Sequence, residues 1–180
     1  MRRAGLVIGA ALVLTGCGGI SLTELDEEAQ SRGGGLGETL VLQGIDAVEE
    51  EIGDDVRFTT MTLSRDSVSI DVLVPGQDDE LDNWIYRSNG ELLGPDPVSG
   101  VGEADELRPL LIDPAEVALE DLDEIIDDAL AEADLTGGYA QSVTILRQQE
   151  GVTITVSVTS PRDTAQVLYR GDGRRREVQP

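Results

Sequence analysis

From residue 38 onward, apolar residues recur along the chain with two different periods. Val41, Ile45, Val48 and Ile52 stand at i, i+4, i+7 and i+11, and Leu122, Ile126, Ala129 and Ala133 repeat that spacing. It puts four apolar side chains on one face of a helix, so a helix is predicted over each stretch. Pro114 suits the first turn of the second helix, where the missing N–H would have no partner. After each helix come three runs rich in Val, Ile and Thr, with apolar and polar residues alternating as half-buried strands require. They are Thr59–Arg65, Val68–Val74 and Asn83–Arg87 in the first half, and Ser142–Arg147, Val152–Thr159 and Ala165–Arg170 in the second. Asp66-Ser67 and Gln148–Gly151 make tight turns, and Asn89-Gly90 and Asp172-Gly173 are strong turn dipeptides that end the third strands.

The two halves also match residue by residue. Met61-Thr62-Leu63-Ser64-Arg65 aligns with Val143-Thr144-Ile145-Leu146-Arg147, and the run Val68 to Val74 with Val152 to Val158. Ile85-Tyr86-Arg87-Ser88-Asn89-Gly90 aligns with Leu168-Tyr169-Arg170-Gly171-Asp172-Gly173, 83 residues later. Three blocks in one order, at nearly constant offset, argue for an internal repeat. The predicted fold is α+β, a tandem repeat of a helix followed by three antiparallel strands. Its units are residues 38–92 and 114–180, joined by a loop over 93–113 in which Leu107 to Ile112 is apolar enough to pack or to add a short strand. A unit of about 60 residues is marginal alone, so the two should pack together or share a sheet.

A helix followed by strands, with a closing strand that ends in a turn such as Ser88-Asn89-Gly90-Glu91, resembles the PepSY-like modules of bacterial envelope proteins. The doubled helix-plus-sheet order also resembles the secreted β-lactamase inhibitor proteins. Both resemblances span residues 38–180 at the level of architecture. They imply partner binding or inhibition and transfer no functional residue.

The N-terminus has a different pattern. Arg2 and Arg3 precede an almost wholly apolar run from Gly5 to Leu14, followed by Thr15-Gly16-Cys17. Two cations, an apolar stretch and small residues make a secretory signal peptide, and the run is too short for the ~20 residues of a membrane span. Leu14-Thr15-Gly16-Cys17 resembles a bacterial lipobox. That resemblance implies cleavage after residue 16 and a diacylglycerol, with a further acyl chain such as palmitate, on Cys17. The chain would then be anchored at the outer face of the cytoplasmic membrane, in the cell envelope. Residues 17–37 hold Gly18-Gly19 and Gly33-Gly34-Gly35 around Ser21-Leu22-Thr23-Glu24, which has the Ser-x-x-Glu form of a capping box. They are expected to serve as a tether, holding the body roughly 25 Å from the lipid.

Charge narrows the function further. The 13 cationic residues are all Arg, against 36 acids. Loss of residues 1–16 removes Arg2 and Arg3 and no acid, which lowers the formal charge from −23 to −25. Such a body repels nucleic acid phosphates and does not lie flat on anionic lipid. Its membrane attachment is expected to be the lipid alone, at ~0.8 kcal/mol per buried CH₂. Arg without Lys points to a GC-rich genome and, with the lipobox, to an actinobacterial source.

His is absent and Cys17 is the only cysteine. Zinc sites built on Cys and His, Ser-His-Asp triads and intrachain disulfides are therefore excluded. No cofactor, no metal site and no catalytic residue is predicted. The acids of the second helix (Glu120, Asp121, Asp123, Glu124, Asp127, Asp128, Glu132, Asp134) read as a solvated surface. Weak Ca²⁺ binding is the alternative, without the loop of a dedicated site. Asp78-Asp79-Glu80 reads as a charged hairpin loop. Arg170, Arg174, Arg175 and Arg176 form a basic tail, read as a solvated terminus that could instead meet lipid headgroups, wall polymers or the protein's own acids.

Trp84 and Tyr86 are the candidate partner-binding residues. They share strand parity and so one side of the sheet. On an open face they would be an aromatic anchor of the type that dominates binding hot spots; on the helix-covered face they would be core. Tyr169 repeats the position of Tyr86, which fits packing. The function expected is a non-enzymatic, lipid-anchored binding or regulatory module for an envelope partner. The alternatives are a carrier of a lipid or other apolar ligand, or a hydrolase using a carboxylate pair.

Overall fold

The computed structural model describes residues 36–180. The signal peptide, the lipobox with Cys17, the Ser21–Glu24 box and the tether up to residue 35 lie outside the described residues.

Helix α1 spans Glu38–Ile52 and buries Val41, Ile45 and Val48 on the face its spacing predicts. Its start is not free. Leu36 is buried, and the Glu38 N–H donates to Asp123 Oδ1 of the second long helix at 2.9 Å. The last two residues of the expected tether are thus pinned to the body. Strands β1 (Phe58–Ser64), β2 (Ser67–Leu73) and β3 (Leu81–Arg87) follow, close to the predicted limits.

A fourth strand, β4 (Leu92–Pro97), then forms inside the stretch expected to be loop. The helix-plus-three-strand unit is therefore corrected to a helix with four strands. Asn89-Gly90 does not end the sheet; it turns the chain back into β4. Gly90 adopts φ 85, a region open chiefly to glycine, and its N–H reaches the Arg87 carbonyl at 2.8 Å.

The connector crosses over through helix α2 (Ala104–Leu107), the 3-10 turns Arg108–Leu110, Pro114–Glu116 and Leu119–Asp121, and a single bridge between Ile112 and Phe58. Pro114 opens one of these turns instead of the long helix. There Asp113 and Glu116 form a reciprocal capping box. Helix α3 begins only at Leu122 and runs to Ala133, burying Leu122, Ile125, Ile126 and Ala129. It ends on Asp134 in the left-handed conformation, which a short polar side chain tolerates.

Strands β5 (Tyr139–Gln148), β6 (Gly151–Thr159) and β7 (Thr164–Arg170) follow, with β8 (Arg175–Gln179) returning from the Asp172-Gly173 turn. The tail expected to be a solvated terminus is thus an edge strand. Arg175 pairs with Asp128 at 2.9 Å and Glu132 at 2.8 Å on α3, and Arg176 pairs with Glu150.

All eight strands form one antiparallel sheet in the order β4-β3-β2-β1-β5-β6-β7-β8. The centre is the β1–β5 pairing, with Thr62 opposite Thr144. Its two outer strands suit an edge, where pairing with another chain must be discouraged: β4 holds Pro95 and Pro97, and β8 holds Arg175, Arg176 and Glu177.

Both long helices lie on one side, α1 over β2 and β3, α3 over β5 to β7. The core fills the space between them and includes Met61, Leu63, Ile70, Val143, Ile145, Ile154, Val156 and Tyr169. Each such side chain contributes roughly 1.5–3 kcal/mol by leaving water.

Candidate interaction surface

The other side of the sheet carries neither of the long helices. On the six inner strands this side carries Thr60, Thr62, Ser67, Ser69, Ser142, Thr144, Thr155 and Ser157, alternate to the buried Val, Ile and Leu. Register lines one row across the whole sheet: Leu93, Ile85, Ser69, Thr62, Thr144, Thr155, Leu168 and Glu177. Hydroxyls occupy its middle and aliphatic side chains flank them.

Charge distinguishes this side sharply from the helices. Helices α1 and α3 carry ten acids and no basic residue. The inner strands present one carboxylate here, Asp71, and two arginines at strand ends, Arg87 and Arg170. Arg87 is engaged by Glu91 at 3.0 Å. In a protein of net charge −23, such a face is nearly neutral.

One end of the open side is covered. The connector lays Leu107 on Leu73 and Leu81, with Val98, Val101 and Leu111 packed around them, as a second small apolar cluster. Between connector and sheet remains a cleft of about 450 Å³ reaching Thr60, Asp71, Leu81, Val101, Leu107 and Leu146. Arg147 secures the connector: its guanidinium donates to the Leu111 carbonyl at 3.0 Å and to Glu116 at 2.8 Å. The bond from Arg147, aided by the Asp113 N–H, holds the Glu116 carboxyl below its ordinary range.

Trp84 does not reach the open side. It is 7% exposed, opposite Ile70 in the helix-covered core, and Gly94 of β4 lies against its ring. Gly94 has φ 119, and a Cβ there would come 2.7 Å from the Asn83 carbonyl, so only glycine lets β4 pass. Tyr86 is half-buried on the same side, packed on the core under Gly44 of α1. Strand parity left two readings open for these candidate partner-binding residues, and the structure places both Trp84 and Tyr86 as packing residues.

Tyr169, at the position matching Tyr86, is also core, and its hydroxyl donates to Asp128 Oδ2 at 2.8 Å. Burial first, then Asp128, pushes its phenol well above the ordinary range.

The open-face hydroxyls were missed as a site, although their signal was present in the polar half of each alternating strand. Among the described residues, no group of three or more His, Cys, Asp or Glu is arranged to hold a metal ion, and no helix is long and apolar enough to cross a membrane.

No protein-family model matches the chain, and no curated protein matches it. Among solved structures, the chain is similar to a Clostridium difficile 630 protein described as a "putative lipoprotein", with a TM-score of 0.57 and 8% identity. The likeness covers 75% of this chain and 88% of that one. At that identity what is shared is the fold.

Proposed function

We propose that this protein is an extracytoplasmic lipoprotein, anchored in the cell envelope by lipid on Cys17, that acts as a non-enzymatic binding module for an envelope protein. The observation that carries the binding role is the open sheet face: wide, nearly neutral in net charge and rich in hydroxyls, on a body whose helical side is strongly acidic. A protein surface docks on such a face without desolvating many charges, and a buried interface favours depletion of charged residues at its centre. The anchor rests on the lipobox-like Leu14-Thr15-Gly16-Cys17 and is consistent with the fold shared with the clostridial protein named as a lipoprotein. The matching blocks of sequence and the helix-then-four-strands order of each half support descent from a duplicated unit, in which β1 and β5 became the shared centre. A lipid carrier finds less support, because the space between helices and sheet is filled by the core side chains.

The test is crosslinking in intact cells, followed by identification of proteins captured with the membrane-extracted lipoprotein. Wild type is compared with Thr62→Arg/Thr144→Arg on the open face and with Asp127→Arg on the outward side of α3. The expected result is an envelope protein captured by wild type and Asp127→Arg but lost from the double variant, with Cys17 lipidation intact in all three. Equal capture by the double variant, or loss only from Asp127→Arg, overturns the assignment of the binding face.

A further inference from the structure

The cleft at the covered end of the open face has a chemistry that the rest of that face lacks. Its walls are aliphatic, from Leu81, Val101, Leu107, Leu110 and Leu146. Its charged groups are Asp71, Glu106 and Arg147, beside the hydroxyls of Thr59, Thr60 and Ser99. Asp71, the one carboxylate of the inner strands on this side, lines it. Asn83 Nδ2 donates to Asp71 Oδ1 at 2.7 Å and to Ser69 Oγ at 2.8 Å, which holds the carboxylate in place. Among the described residues Oδ2 receives no donor.

Glu106, on α2, supplies a second carboxylate at the rim. It folds back over Gly102, where a Cβ would come 2.5 Å from its Oε2. The one cation of the lining, Arg147, is already engaged by Leu111 and Glu116, so it does not neutralise the pair.

We propose that this cleft receives a basic side chain, Lys or Arg, from a loop of the protein docked on the open face; the inference rests on the docking reading above. The complementarity is specific in two respects. An aliphatic stem gains by burial against leucine and valine walls, as long basic side chains do elsewhere. The charged head meets Asp71, whose free oxygen offers a charge-assisted hydrogen bond stronger than a neutral one. About 450 Å³ accommodates one such side chain and its water. An acid-lined slot on an otherwise neutral face would set the orientation of the partner, while the hydroxyl rows supply area.

The cleft is tested directly with n-butylguanidinium as probe, using the detergent-solubilised full-length lipoprotein and heteronuclear NMR shift mapping. Pentanoate and pentanol serve as controls for charge and for the apolar stem. Saturable shifts are expected at Thr60, Val101 and Leu107 with the cation, and not with pentanoate. Asp71→Asn, which keeps an oxygen to accept from Asn83, should weaken the probe about tenfold, the loss of one charge-assisted bond. Glu106→Gln, on the exposed rim, should weaken it less and carries the test if Asp71→Asn melts early. Equal shifts with pentanoate, or unchanged affinity in a folded Asp71→Asn, overturn the proposal. Shifts of the same residues on concentrating the protein without probe would mean that a second copy fills the cleft, and overturn it too. If the probe fails while Thr62→Arg/Thr144→Arg still loses the crosslinked partner, this inference falls and the docking face stands; the reverse pattern leaves the cleft without its face.

Discussion

The two sides of the sheet are built from the same strands yet differ in cover, charge and chemistry. On one side Val68, Ile70, Ile154 and Val156 lie beneath α1 and α3, whose outer surfaces carry ten acids. On the other, Ser69, Thr62, Thr144 and Thr155 face outward with hardly a charge among them. Stability therefore resides on the helix side, where each apolar group leaves water. On the function proposed above, recognition would fall to the side that packing does not use. The acids of the helices keep that surface solvated and self-repelling, so a partner on the proposed reading would meet the neutral face.

The comparison breaks most readily at neighbouring residues of β3. Trp84→Ala removes a core side chain and should cost about 3–5 kcal/mol in urea unfolding. Ile85→Ala, one residue on and facing outward, should cost well under half of that; equal losses would mean that the two sides share the stabilising role. A second contrast lies at Gly44. Alanine there ordinarily favours a helix by up to about 1 kcal/mol, but its Cβ would come 2.5 Å from Val68 Cγ1. Overpacking should reverse the sign, giving a net loss of about 1–3 kcal/mol in the same measurement.

Tyr169→Phe should cost about 0.5–1.5 kcal/mol, the value of a hydrogen bond, since Asp128 keeps its pairing with Arg175. The phenol's folded pKa is raised above its ordinary 10.0, so its contribution is complete below that pH and is lost as pH rises through the alkaline range. Wild type should lose stability above pH 10 more steeply than Tyr169→Phe, as followed by circular dichroism; parallel curves would show that the phenol is not buried as described. The smallest effect is expected on the open side. Thr153 is fully buried and its Oγ1 has no hydrogen-bond partner among the described residues. Thr153→Val keeps the branched shape and removes the unpaired hydroxyl, so thermal melting should show a gain of about 1 kcal/mol or less. A loss would reveal a partner, such as a bound water, on that oxygen.

Legibility in the sequence followed the apolar pattern closely. Six strands and both long helices were readable because each has one wet and one dry face, which writes itself as alternation or as i, i+4, i+7 spacing. Strands β4 and β8 were not. Leu92–Pro97 contains glycine and two prolines, and Arg175–Gln179 is mostly charged, because an edge strand is paired on one side only and is selected against further pairing. The candidate site was half legible. Its hydroxyls were visible as the polar partners of each alternation, but the side on which the candidate aromatics lie was not.

Trp84 shows why. Sequence parity placed it with Tyr86 on one face, and only the packing of α1 on β2 and β3 determined which face that was.

What the sequence alone determined, then, is local: which residues form helices and strands, which side chains share a face, the acid excess, and the absence of His and of any cysteine but Cys17. These follow from backbone periodicity and from composition, which need no knowledge of distant neighbours. The tertiary structure decided the rest: the β1–β5 junction that makes one sheet, the pinning of Glu38 by Asp123, the connector that walls the cleft, and the choice of buried face. Each of these joins residues far apart in the chain, and such pairings are set by shape and by the competition for burial, not by any local pattern.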